Sequence, residues 1–327
     1  MSLQQALPAL YATGVHGFNL RILNGHTASK NYMRQSGVRK QARLAQPGAG
    51  RGFVLFLFLL LLPVPGRGQP AKPLPAPLAP AQAQALVDRA LANEIRALKN
   101  PRPMSFWLRR SSPRLTTTKK IVETRDGDVA RLISINGKPL SAAAEQRELA
   151  RLNGLLSDPS RQMTRKQSED ADTARALKVL RALPTAFLYQ YAGPGEGPAG
   201  EVEKFTFKPN PAFDPSDLEL HVLTAMAGQV WIDPAAQRVV RLEGRLHHGV
   251  NFAWGILGHL NRGGSIRIEQ ADVGHHQWRI VRMRLAMTGR VLFFTKTYDT
   301  EEEESRFEPL PADLDYRQAI QMLRKDP

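Results

Sequence analysis

The sequence predicts an α+β protein built on a large curved antiparallel sheet, a half-barrel of about ten strands covered by a few helices. Three observations favour this class. Residues 228–298 alternate apolar and polar side chains at period two between turn signals, which is typical of strands with one buried and one wet face. Asp126-Gly127 and Asn136-Gly137 are strong two-residue turn signals between strand-like runs. So many strands in one sheet favour curling towards a barrel, which would create an apolar concavity.

The first 68 residues have the composition of an export leader. They contain eight Lys and Arg and no Asp or Glu, and ten consecutive apolar residues at 53–62 end at Pro63. That run is shorter than the roughly 20 residues of a membrane-spanning helix and fits the apolar core of a secretory signal. Cleavage after Gly68 would leave Gln69 first. We therefore expect a periplasmic or secreted protein that meets the membrane only through its leader before cleavage.

Charge and cysteine content exclude several function classes. The formal net charge of +15 invites a nucleic-acid hypothesis, but the leader supplies about half of it and leaves 37 basic against 30 acidic residues. Those remaining charges alternate in sign along strands, as on a solvated face, so no nucleic-acid partner is predicted. The chain has no cysteine, which excludes disulfides, thiolate metal sites and a cysteine nucleophile.

After the leader, residues 69–80 form a proline-rich linker, and residues 81–327 are predicted to be one domain. Ser141 is a good N-cap for a helical insert at 141–183. The acidic run 301–304 is expected to be solvated. The predicted helices span residues 81–100, 142–156, 161–183 and 316–325, and the predicted strands before the meander span residues 105–110, 115–125, 128–135, 186–191, 202–208 and 219–226.

Paired histidines raise the hypothesis of a metal site. His247-His248 and His275-His276 are each adjacent in sequence, and neighbouring residues on a strand point to opposite faces. Neither pair can therefore chelate an ion as i, i+2 ligands would. We expect no metal site and no other cofactor.

Catalytic motifs are equally weak. Gly195 to Gly200 fits G-x-G-x-x-G in form, but two prolines interrupt it and a strand-like run follows, so we interpret it as a flexible hairpin loop. Glu243 and Glu269 lie on the polar faces of their strands with no fixed spacing between them. No nucleophile or phosphate-binding signature is present, so no catalytic residue and no enzymatic activity are predicted.

Residues 251–260 are apolar but break the period of two and contain Gly255 and Gly258. Two interpretations stay open: a buried turn of helix that plugs one end of the sheet, or a lid over an apolar cavity. On the neighbouring strand Val240, Leu242 and Leu246 are predicted to share the buried face. The predicted ligand contacts are Phe252, Trp254, Ile256 and Leu257 from the lid, and Val230, Ile232, Val240, Leu242, Ile266, Ile268, Trp278 and Phe293 from the strands.

Two short strands carry a resemblance to a known family. The runs GQVWID (228–233) and RVVRLE (238–243), a cleaved signal, a leading amphipathic helix and helices inserted between antiparallel strands together resemble the periplasmic lipoprotein-localisation carriers, LolA/LolB-like proteins, over residues 81–298. Such carriers hold acyl chains in a half-barrel covered by helices. The resemblance implies the same fold here. The helical insert is longer than the resemblance leads us to expect.

These observations leave three functional hypotheses. The first is an exported, non-enzymatic protein that holds a lipid or lipoprotein acyl group on the concave face of a half-barrel. The second is an envelope protein-interaction or sensor module without a lipid ligand, in which the outer face and residues 193–200 contact a protein partner. The third is a hydrolase of an unfamiliar kind.

Overall fold

The computed structural model describes residues 77–217, 219–252, 258–291 and 294–325. The predicted leader and the linker up to residue 76 lie outside them. The described residues form a large antiparallel sheet with a few helices, which confirms the predicted fold class.

The helices are α1 Pro80–Lys99, α2 Ala142–Ser157, α3 Pro159–Ala186 and α4 Tyr316–Lys325, with a 3-10 helix at Leu220–Ala225. The strands are β1 Met104–Ser111, β2 Thr116–Val122, β3 Val129–Ile135, β4 Lys138–Pro139, β5 Phe187–Gly197, β6 Gly200–Pro209, β7 Met226–Asp233, β8 Arg238–Leu246, β9 Val250–Phe252, β10 Gly258–Leu260, β11 Ser265–Asp272, β12 Trp278–Val291 and β13 Phe294–Pro309.

The strands form one continuous path in the order β4-β3-β2-β1-β13-β12-β11-β8-β7-β6-β5. Strand β10 pairs with the C-terminal part of β12 and with β9, beside this path. Strand β13 pairs with β1 on one side and β12 on the other, so the last strand joins the first three strands to the meander. Among the described residues, no helix is both long and apolar enough to span a bilayer.

The larger hydrophobic core lies on one face of the sheet. Strand register places Val230, Leu242, Ile268 and Met283 side by side across β7, β8, β11 and β12. These side chains pack with one side of α1 and with the C-terminal part of α3. We call this side of the sheet the α1 face.

A second, smaller core lies on the opposite face. The pairing of β12 with β13, of β13 with β1 and of β1 with β2 shows that the side chain of Ile121 on β2 points to the α1 face. The next residue, Val122, therefore points away from it. Val122 and Val129 pack against Leu152 of α2 and against α4. We call this side the α4 face.

Beyond α4, the α4 face carries ion pairs between strands. Arg241 and Glu269 lie 3.0 Å apart across β8 and β11. Glu303 on β13 lies 2.8 Å from Arg282 and 2.9 Å from Arg109. Each exposed pair contributes little to stability, but together they keep this face polar, as the sequence alternation predicts.

Helix α2 covers a sheet edge with two side chains. Strand β4 pairs only with the end of β3, which leaves the rest of the β3 edge without a strand partner. Glu148 accepts a hydrogen bond from the Leu132 N–H at 2.9 Å, and Arg151 donates to the Ala130 carbonyl and to Glu148. These bonds satisfy backbone groups that would otherwise be free to pair with another chain.

The predicted strand at 219–226 is a 3-10 helix, Leu220–Ala225. Asp217 starts the turn, because its carbonyl accepts from the Leu220 N–H at 3.1 Å and its carboxylate accepts from the Glu219 N–H. A short apolar run gives the same sequence signal for a buried strand and a buried helical turn, and the Asp217 turn decides between them here.

The acidic run 301–304 is a strand, and only part of it is solvated. Glu301 and Glu303 lie on the α4 face beside arginines, whereas Glu302 is buried and Glu304 is half-buried on the α1 face. The run was expected to be solvated as a whole because four like charges are usually exposed. Antiparallel pairing on both sides of β13 overrides that tendency and sends alternate carboxylates to opposite faces.

Replacing Glu148 by Ala should lower the free energy of unfolding by about 2 kcal/mol, because the Leu132 N–H and the Arg151 guanidinium both lose their acceptor. Chemical denaturation of the variant measures the effect. Gln146→Ala changes an exposed residue on the same helix and should leave stability within about 0.5 kcal/mol of the parent. Equal stability of the two variants would show that the edge bonds contribute nothing.

Candidate apolar binding site

Helix α1 lies over the sheet with one apolar side. Its buried residues recur at helical spacing and include Leu86, Val87, Ala90 and Leu91. Proline at its first position suits the start of a helix. The helix packs against α3 and against β5, β7 and β8, so it covers the part of the sheet from which the meander begins.

A small apolar enclosure remains between α1, α3 and the sheet. Its volume is about 20 Å³, which is space for about one water molecule. Side chains of α1 therefore fill most of the hollow that the curved sheet creates. The enclosure is lined by Val87 and Leu91 of α1, Leu183 of α3, Phe187 and Tyr189 of β5, Phe207 of β6, Val230 and Ile232 of β7, and Val239 and Leu242 of β8.

The lining carries one hydroxyl, that of Tyr189. It donates to the Leu183 carbonyl at 3.3 Å, so its polar atom is satisfied inside the protein. Burial, with a further contribution from Asp88, raises the pKa of this phenol above its usual range. The Tyr189 side chain is therefore neutral at every physiological pH, and the enclosure carries no charge.

The structure brings together part of the predicted ligand-contact set. Val230, Ile232 and Leu242 line the enclosure. Ile266 and Ile268 share the same core without lining it, and Trp278 is half-buried 5.6 Å from the Arg238 guanidinium. Residues outside the description are Trp254, Ile256, Leu257, Phe293 and the side chain of Phe252.

Val240 is buried but does not line the enclosure. Register shifts between Trp231 and Ile232, so Ile232 pairs with Val239 and leaves Val240 as the extra residue of a β-bulge. Val239 lines the enclosure instead. Two adjacent valines give no sequence signal that distinguishes the bulged residue from its neighbour.

The remaining lining residues were missed because they come from distant segments. Helical spacing in residues 81–100 indicated an apolar side on α1 but not what it covers. Phe187, Tyr189 and Phe207 lie on strands predicted as strands, and their pairing beside β7 follows from the sheet order, which a local pattern does not reveal.

One carboxylate fastens α1 to the sheet. Glu94 accepts two hydrogen bonds from the Arg238 guanidinium at 2.9 Å and a third from the Val239 N–H at 3.1 Å. One residue earlier, Asn93 donates to the Gln237 carbonyl at 3.0 Å. Because Val239 also lines the enclosure, the fastening lies directly beside the apolar site.

A second cavity, of about 240 Å³, lies between α3 and the β2–β3 hairpin. Its lining is acidic and includes Glu123, Asp128 and Glu169. Burial first, and then the charges of Glu169 and Glu123, raise the pKa of Asp128 well above its usual range. Across the residues that the structure describes, no group of three or more His, Asp or Glu side chains is arranged to hold a metal ion.

Glu94→Gln should loosen α1. The variant loses the charge-assisted bonds to Arg238, so amide hydrogen exchange along α1 should become about tenfold faster. Hydrogen-exchange mass spectrometry measures it peptide by peptide. Asp88→Asn, on the exposed side of the same helix, serves as the control and should leave exchange unchanged. Unchanged exchange in both variants would mean that apolar packing alone holds α1.

Asp128→Asn should stabilise the protein at neutral pH. The folded state raises the pKa of Asp128, so it binds that proton more tightly than the unfolded chain does. The contribution of this group to stability is therefore most favourable below the unfolded pKa of about 3.9 and falls as pH rises through the folded pKa. Asparagine cannot ionise, so the variant does not lose this stability as the pH rises.

Thermal denaturation at pH 5 and pH 8 should show a higher midpoint for Asp128→Asn, with the larger gain at pH 8. Asp170→Asn alters an exposed carboxylate lining the same cavity and is the control. A lower midpoint for Asp128→Asn at pH 8 would show that the charged carboxylate is stabilised in the fold rather than strained.

Comparison with known proteins finds no matching family model and no matching curated protein. Among solved structures, the chain is similar to a LolA superfamily protein from Nitrosomonas europaea, with 11% identity, 70% of this chain and 94% of that chain covered, and a TM-score of 0.27. A putative outer membrane lipoprotein-sorting protein domain from Vibrio parahaemolyticus gives 11% identity, 73% and 99% coverage and a TM-score of 0.27. A DUF1329 family protein from Desulfovibrio piger gives 9% identity, 69% and 92% coverage and a TM-score of 0.25. The fold of this chain is established by the strand pairing described above.

Proposed function

We propose that this protein is an exported, non-catalytic binding protein that holds an apolar ligand, a lipid or a lipoprotein acyl group, on the α1 face of its sheet. The observation that carries the proposal is the uncharged apolar enclosure that the amphipathic helix α1 covers together with Leu183 of α3. In this proposal α1 occupies the site in the absence of ligand and moves aside when the ligand binds.

The size of the ligand follows from what it must replace. Helix α1 buries four large apolar side chains, Leu86, Val87, Leu91 and Leu98. At roughly 1.5–3 kcal/mol each, exposing all four costs about 6–12 kcal/mol. A methylene group contributes roughly 0.8 kcal/mol on burial, so an acyl chain needs on the order of ten buried methylenes to offset that loss. Long acyl chains meet this requirement and short ones do not.

The predicted contact residues keep their place in the proposal. An acyl chain that lies along the α1 face would contact Val230, Ile232 and Leu242 first and then Ile266 and Ile268. Phe207 and Val239 join them because they line the enclosure. Displacement of α1 would begin at its fastening to Arg238, since those bonds hold the helix over this surface.

A disulfide lock tests whether α1 must move. The chain has no cysteine, so Asn93→Cys with Gln237→Cys introduces the only pair, where side chain and backbone are already hydrogen-bonded. Protein beginning at Gln69 should bind a fluorescent long-chain fatty acid, and lipid should be found by mass spectrometry after extraction. The oxidised double variant should lose at least about tenfold in affinity, since the site stays filled.

Reduction of the double variant should restore binding, and each single cysteine variant should bind like the parent in both redox states. Equal binding by the oxidised and reduced double variant would overturn the role of α1. Parent protein that carries no extracted lipid and binds no fatty acid would overturn the proposed function itself.

A groove on the α4 face favours a second candidate, contact with an envelope protein. Its volume is about 410 Å³, over β7, β8 and β11. Gln229, Arg245 and Arg267 are among its lining residues, and Glu243 lies 2.7 Å from Arg267. Such a polar, ion-paired surface suits a protein partner rather than an acyl chain. This candidate becomes the first if no lipid binds.

A further inference from the structure

The side chains on the α1 face change from apolar to charged at strand β13. Leu242, Ile268 and Met283 form a continuous apolar row across β8, β11 and β12. The next positions in the same row are Glu302 on β13 and Arg110 on β1. The apolar row therefore ends at the ion pair between Glu302 and Arg110, on the same face of the same sheet.

Glu302 and Arg110 hold each other at this boundary. The Arg110 Nε atom lies 3.3 Å from the Glu302 carboxylate, and Glu302 is only 8% exposed. Burial raises the pKa of Glu302, while Arg110 and Lys119 oppose that rise. The arginine side chain remains about one quarter exposed, so its other guanidinium nitrogens can reach a ligand.

Glu304 adds a second carboxylate two residues further along the same face. The basic group with the largest effect on it is Arg279, whose guanidinium already donates to Glu123. Burial, together with the Glu302 and Glu123 charges, raises the pKa of Glu304 well above its usual range. The basic group that acts most strongly on this half-buried carboxylate is thus already bound to another acid.

Part of the charged strip remains exposed to solvent, although Glu302 itself is buried. Helices α1 and α3 pack over β5, β7 and β8, and α4 packs on β2 and β3 from the opposite side. Met283 of β12 belongs to the core beneath α1, whereas no comparable helix packing on β13 is found among the described residues. Arg110, Lys119 and Glu304 are accordingly half-buried rather than fully buried.

We infer that the charged strip binds the headgroup of an amphiphile that carries a primary ammonium beside a phosphate, as phosphatidylethanolamine does. The inference rests on the proposed function, because the tail would lie along Met283, Ile268 and Leu242. The ammonium would donate to Glu304, and the phosphate would accept from Arg110.

Charge complementarity selects this headgroup over its relatives. An anionic headgroup without an amine brings no partner for Glu304 and is repelled by Glu302. A trimethylammonium group carries the positive charge but has no N–H to donate to a carboxylate. Only the primary ammonium with an adjacent phosphate satisfies the carboxylate and the guanidinium together.

Three phospholipids with identical long acyl chains and ethanolamine, choline or glycerol headgroups, supplied in mixed micelles with a non-ionic detergent, test the inference by isothermal calorimetry. The parent protein should bind the ethanolamine lipid about tenfold more tightly than the other two, the effect of one charge-assisted hydrogen bond. Glu304→Gln should abolish that preference while keeping the acyl-chain affinity seen for the choline lipid.

Glu303→Gln is the matched control, because Glu303 is adjacent on β13 but pairs with Arg109 and Arg282 on the α4 face. It should keep the full preference. Equal affinity of the parent for all three lipids would overturn the inference and leave the proposed function standing. If the parent protein binds none of the three phospholipids and does not bind the fluorescent fatty acid, the proposed function is overturned. Loss of preference in Glu303→Gln as well as Glu304→Gln would overturn the assignment to Glu304.

Discussion

Packing of α1 against the sheet is the contact on which the rest of this structure depends. The curved sheet presents a continuous apolar row, and an exposed surface of that kind is costly in water. Helix α1 and the C-terminal part of α3 remove it from solvent, and Glu94 and Arg238 fasten α1 to the sheet. The apolar packing supplies most of the free energy, whereas the ion pair fixes where along the sheet the helix lies. This surface is a core beneath α1, and the proposed function requires the helix to move aside so that the surface becomes a binding site.

The alternation of β13 explains how one strand serves two chemically different faces. Successive carboxylates in residues 301–304 point to opposite sides because side chains alternate along a strand. On the α4 face they meet arginines in exposed ion pairs. On the α1 face burial raises the pKa of Glu302 and Glu304, and the basic groups beside them only partly oppose that rise. Identical residue types thus form a solvated network on one side and a charged strip beside an apolar row on the other.

Local patterns in the sequence predicted much of the fold. The Asp126-Gly127 turn, the helix at Tyr316–Lys325 and the α+β class follow from turn chemistry and periodicity, which act over a few residues. The bulge at Val240 and the 3-10 helix after Asp217 were missed because both depend on which strands become neighbours. For the site, the apolar strand residues were predictable, since burial follows the alternation. The contribution of α1 and of Phe187 and Phe207 was not, because it arises from contacts between segments roughly a hundred residues apart along the chain.

Two separate cores make movement of α1 compatible with a folded protein. The smaller core joins Val122 and Val129 to α2 and α4 on the α4 face and shares no residue with the core beneath α1. Strand β13 connects the two regions through backbone pairing on both sides, which does not depend on any side chain of α1. Opening the α1 face would therefore expose one apolar surface while the strand ladder and the second core persist. Because no strand of the sheet pairs through α1, the strand ladder does not depend on where that helix lies, while α3, β5, β7 and β8 would lose their contacts with it.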